Sequence, residues 1–152
     1  MKRKFIVVGL SLAIGTGLAV EAFAQAKPEV LVKQRQAAMT LQGKYFGPLA
    51  GMAQGKLPYD AKIVARNAEY LDVLSQLPWD GFTAATSGEK SDALPAIYKE
   101  PAKFKEAQER LRGAVGKLVA ASKAGNEAAA KAAIGEVGKS CGGCHDNFRE
   151  KH

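Results

Sequence analysis

The sequence predicts an all-α protein, an antiparallel up-down-up-down bundle of four helices. Three observations predict it. Apolar residues recur at spacings of three and four through four segments, and helix starters and breakers bracket those segments. No alternating strand pattern survives anywhere in the 152 residues. Connections of short or medium length favour antiparallel neighbours in such a bundle.

The first helix is expected from Pro28, well suited to a first helical position, to about Ala53. Its inner stripe reads Leu31, Arg35, Met39, Gln42, Phe46, Leu49 and Ala53, and Gly47-Pro48 should kink it. Gly55 to Tyr59 is a turn and Asp60 an N-cap for the second helix. That helix carries Ile63, Tyr70, Leu71, Leu74 and Leu77 inward and ends at Pro78. Residues 78–100 show no sustained period, and a connection that long is often wrapped over a site. Its apolar Trp79, Phe82, Leu94, Ile97 and Tyr98 argue against disorder. Pro101 opens the third helix, with Phe104, Ala107, Leu111, Ala114, Leu118 and Ala121 inward. Gly125 suits the residue after its end, and Asn126 caps the fourth helix. The fourth stripe is Ala130, Ile134, Val137, Cys141, His145 and Phe148. Small alanines at inner positions leave room for something other than side chains.

Residues 1–24 read as an export signal. Met1-Lys2-Arg3-Lys4 is basic, Phe5 to Val20 is apolar and uncharged, and Ala22-Phe23-Ala24 is an A-x-A cleavage site. A retained membrane anchor is the alternative, but the stretch is short and wrongly flanked for one. Cleavage leaves residues 25–152 as one domain, and the net charge falls from +7 to +5 as three basic residues and Glu21 depart. Two cysteines are too few for a disulfide scaffold. Scattered lysines on an exported chain describe a solvated surface, not a nucleic-acid binder. Phosphate-loop, H-E-x-x-H and G-x-S-x-G motifs are absent.

The chemistry lies near the end of the fourth helix. Cys141-Gly142-Gly143-Cys144-His145 is a C-x-x-C-H motif, the attachment signature of c-type haem. On a helix, residues i, i+3 and i+4 share one face. Both thiols then point at the haem vinyl groups while the imidazole reaches the iron. A thioredoxin-like redox pair would need neighbouring strands, and a disulfide within one helix would be strained. Zinc held by Cys141, Cys144, His145 and His152 would need one contiguous helix to close a tetrahedron. The expected cofactor is therefore one haem c, bound through two thioethers in the bundle core.

A C-terminal C-x-x-C-H in a four-helix bundle resembles cytochrome c′. The resemblance runs through Lys27-Pro28-Glu29, Arg35-Gln36, the P-Y-D of residues 58–60, and Leu77-Pro78-Trp79 with Phe82. It continues through Asp92 to Pro95, the G-x-V-G of residues 135–138, and Cys141 to Arg149. The resemblance implies His145 as the only strong axial ligand, with Arg149 beside its imidazole. It implies Arg35 paired with a haem propionate, and Gln36 and Asp92 near the haem rim. Met39 falls at the distal position, and Trp79 and Phe82 help close that pocket. It further implies periplasmic export and a homodimer through the first two helices.

Two functions follow from the resemblance. In one, a five-coordinate, high-spin haem binds nitric oxide or carbon monoxide on a distal face without hydrogen-bond donors. In the other, Met39 completes a low-spin His/Met iron and the protein carries electrons to and from redox partner proteins. A thioether is a competent soft ligand, so Met39 decides between them. An enzymatic role is weaker, for no distal His or Arg is placed to cleave peroxide.

Overall fold

The computed structural model describes residues 26–151. Four long helices, α1 (Pro28–Ala53), α2 (Ala61–Leu74), α4 (Pro101–Lys123) and α5 (Glu127–Phe148), form the bundle. A one-turn helix, α3 (Ala96–Lys99), and two 3₁₀ turns (Trp79–Gly81 and Ala84–Thr86) lie in the connection between α2 and α4. Helix α1 packs on α2 and α5, and α4 packs on the same two, which closes the ring. Among the described residues no helix is long and apolar enough to cross a membrane. The export signal expected at residues 1–24 lies outside the described residues.

Local chemistry sets the boundaries. Pro28 occupies the first turn of α1. The Asp60 carboxylate accepts from the backbone N–H of Lys62 at 2.8 Å and of Ile63 at 3.1 Å, capping α2. Gly125 takes φ +68°, where a side chain would strain, and Asn126 Oδ1 then accepts from Ala129 N at 3.0 Å to start α5. Pro48 lies inside α1 without ending it. Near this gap in the helical hydrogen bonding, the Tyr45 carbonyl accepts a 3.0 Å bond from Asn67 Nδ2 of α2. Asn67 is only 2% exposed, so the bond satisfies a buried amide as well.

Three packing expectations need correction. Helix α2 stops at Leu74, short of Pro78, and Tyr70 and Leu77 are exposed. Leu71 takes the inward position beside Tyr70, whose ring instead meets Tyr45 edge-on at 4.8 Å. In α4 the buried residue is Val115 and not Ala114, because a 3.6-residue helix drifts off a strict heptad. In α1 the packed residues are Val32, Ala38, Leu49 and Met52, whereas Met39, Gln42 and Phe46 are only half-buried.

That last difference has a structural reason. The core divides into two clusters, one around Leu49, Val64, Leu111, Leu118 and Ile134, the other around Ile97, Phe104, Ala107 and Phe148. A cavity of about 700 Å³ takes walls from both. Met39, Gln42 and Phe46 of the α1 stripe line this cavity, so they keep accessible surface.

Candidate functional site

Helices α1 and α5 and the α2–α4 connection position the cavity side chains. From α5 come Val137, Cys141, Cys144, His145 and Phe148, spaced by threes and fours along one face. From α1 come Arg35, Gln36, Met39, Gln42 and Phe46. The long connection contributes Trp79, Phe82 and residues 91–93. It is stitched to the end of α5 by Leu94 N to Phe148 O at 3.0 Å and Glu150 N to Asp92 O at 2.8 Å. All ten residues singled out from the sequence therefore line one cavity: Arg35, Gln36, Met39, Trp79, Phe82, Asp92, Cys141, Cys144, His145 and Arg149.

The electrostatics differ from wall to wall. Burial pushes the Cys141 thiol up, and Cys144 adds to it. Burial pushes Cys144 up too, opposed by Arg110. Both sulfurs are thus kept as neutral thiols and not as thiolates. Partial burial, then the charge of Arg149, holds His145 below the ordinary imidazole value, with Asp146 opposing. The neutral imidazole is the form that can bind a metal. Arg149 Nε lies 3.7 Å from Asp92 Oδ2, which joins two of the predicted residues in an exposed ion pair.

Arg35 is a buried cation, 3% exposed. Its Nη1 donates to the Gly81 carbonyl at 2.6 Å and Thr86 Oγ1 at 3.2 Å, and Nη2 donates to Ser91 Oγ at 2.9 Å. The guanidinium carbon stands 4.3 Å from the centroid of the Phe82 ring. Neutral oxygens orient the charge without cancelling it, so it remains available to an anionic group in the cavity. Sequence reasoning missed Thr86 and Ser91, whose contacts with Arg35 span more than fifty residues of chain.

Gln42 stood on the expected inner stripe of α1 without a role at the site. Its Nε2 lies on the cavity wall, 3.1 Å from Leu74 O and 3.8 Å from Met39 Sδ, near the distal position where no hydrogen-bond donor was expected. Phe104 completes the aromatic wall, edge-on to Phe82 at 5.0 Å and to Phe148 at 5.2 Å.

A family model described as Cytochrome C′ matches residues 30–149. The chain belongs to the cytochrome c′ family. It is 46% identical over 126 residues to the cytochrome c′ of Rubrivivax gelatinosus, covering 82% of this chain and 98% of that one. A cytochrome c-554 of Cereibacter sphaeroides is 33% identical, over 81% of this chain and 82% of its own. The crystal structure of the Rubrivivax gelatinosus protein superposes with a TM-score of 0.78. So does a mutant of cytochrome c prime from Alcaligenes xylosoxidans solved as its nitric oxide complex, 43% identical over 84% of this chain and 99% of that one.

Haem c, covalently bound, is the cofactor of a cytochrome c′. The cavity fits it. Its volume is in the range of about 300–1,000 Å³ common for cofactor sites. Two neutral thiols and one imidazole open on it from a single helix, and a buried guanidinium offers a partner for acidic substituents. The zinc alternative also calls on His152, which lies outside the described residues.

Proposed function

We propose that this cytochrome c′ is an exported protein that binds small neutral gases, nitric oxide and carbon monoxide, at a five-coordinate, high-spin haem. Residues 1–24 direct export and are removed, and the periplasm is the working compartment. Haem supplies an iron with one position open to such a gas. Cys141 and Cys144 hold the group by thioethers, and His145 is its only strong protein ligand. Arg35 orients a propionate, Gln36 and Asp92 lie at the rim, and Arg149 sets the basicity of His145. Met39, with Trp79 and Phe82, walls the opposite side.

The observation that carries the reading is the makeup of the cavity. The C-x-x-C-H face of α5 and the Met39 face of α1 line one space whose remaining walls are largely apolar, among them Phe46, Leu71, Leu111 and Val137. Apolar walls suit a neutral diatomic and stabilise a polarised oxygen adduct poorly. The likeness to a protein solved with nitric oxide supports the choice of gas. Binding, not turnover, is assigned: Arg35 is held by Gly81, Thr86 and Ser91 and is not free to drive bond cleavage.

Electron transfer with redox partner proteins is the second reading, favoured by the thioether of Met39 on the cavity wall and by the likeness to a cytochrome c-554. Titrating the reduced protein with carbon monoxide separates the two. Saturable binding with a spectral change supports the gas-binding reading, and no response overturns it.

The reading includes a homodimer through the first two helices. Val30, Leu41, Leu57, Tyr70, Val73 and Leu77 are the exposed large apolar residues described, and they lie on α1, on α2 and in the turns that follow them. Exposed apolar side chains on these two helices are the kind of surface that a two-fold interface covers.

A further inference from the structure

Gln42 stands between Met39 and the end of α2. Its Nε2 reaches Leu74 O at 3.1 Å and Met39 Sδ at 3.8 Å. A primary amide carries two protons on that nitrogen, so both contacts form together. Leu74 is the last residue of α2, and its carbonyl accepts from Leu77 N of the following turn at 3.3 Å as well as from Gln42. The bond from Gln42 thus anchors the amide on a fixed element. Met39 precedes Gln42 by three residues on the same helix face, so the second N–H meets the sulfur without any rearrangement of α1. Both side chains are half-buried and line the cavity.

We propose that Gln42 is a positioning residue that keeps Met39 from ligating the iron. This rests on the reading that Met39 faces the open iron position. A methionine side chain has three rotatable bonds, and an untethered thioether samples the whole wall. Sulfur is a weak acceptor, and the contact has consequence because its donor is already fixed to Leu74. The tether engages the lone pair that a metal would use and holds the side chain against α1. Removing it releases a soft ligand beside a site that accepts one.

The test uses the haem-loaded protein. Gln42→Leu keeps the bulk and removes both donors, and Gln42→Ala carries the test where leucine is not tolerated, since alanine suits a helix. Optical spectra should show a high-spin wild type and a largely low-spin variant. If the five-coordinate fraction drops to about a tenth, apparent carbon monoxide affinity drops about tenfold. Adding Met39→Leu to either variant should restore the high-spin spectrum and the affinity, a rescue that a merely structural role of Gln42 would not produce. The proposal is overturned if the Gln42 variants stay high-spin with wild-type affinity, or if a low-spin state survives Met39→Leu. A wild type that is itself low-spin overturns the gas-binding reading along with the proposal, whatever the variants do.

Discussion

Arg35 donates a 2.6 Å hydrogen bond to the carbonyl of Gly81 across 46 residues of chain. The approach is close enough that a Cβ on Gly81 would stand 2.8 Å from Leu31 O and 2.9 Å from Arg35 Cβ. Glycine is therefore what lets the connection lie on α1 and hold the guanidinium. Gly81→Ala should cost about 1–3 kcal/mol through overpacking and displace Arg35. Thermal unfolding together with the haem spectrum checks both effects, and an unchanged Tm would refute the close approach.

Ser140 is 7% exposed, and its Oγ has no hydrogen-bond partner among the described residues. A buried hydroxyl left unpaired costs about 1–3 kcal/mol of desolvation. Ser140→Ala should be neutral or should raise Tm by up to about 8 °C. A clear fall in Tm would mean that the hydroxyl is satisfied after all.

The bundle was largely legible because its boundaries are local. Pro28, Asp60, Gly125 and Asn126 act within four residues of themselves, and each stands where the sequence puts it. Periodicity finds a stripe but does not say whether the stripe meets side chains or a cavity. For that reason Met39 and Phe46 look like core residues in sequence, whereas Val32, Ala38 and Met52 do the packing. The cavity residues on α5 were legible from one motif at helical spacing. Gln42, Thr86 and Ser91 were not, because their meaning comes from partners 32 to 56 residues away.

Attachment has a direct chemical check. Cys141→Ala or Cys144→Ala should lose one thioether, and His145→Ala should lose most of the holoprotein. Acid–acetone should leave haem on the wild type; complete extraction would refute covalent attachment.

The positive charge of Arg149 helps hold the His145 imidazole below its ordinary value. Removing that charge makes the imidazole more basic, so protons compete for it at higher pH. In an acid titration followed by absorbance, Arg149→Ala should therefore lose its axial histidine at higher pH than the wild type. A shift the other way would contradict the sign.

The proposed homodimer puts the exposed face of α2 in its interface. Val73 is 60% exposed, and Val73→Glu would place a charge on that face. The wild type should sediment as a dimer at micromolar concentration and the variant as a monomer. A monomeric wild type would refute the interface.

In the proposed gas-binding protein, the cavity between α1 and α5 presents His145 from α5 and an unligated Met39 from α1. The most direct measurement is the spin state of the reduced, purified wild type, by absorption or magnetic circular dichroism. A high-spin, five-coordinate haem is expected. A low-spin spectrum that turns high-spin in Met39→Ala would contradict it and make the protein a His/Met electron carrier.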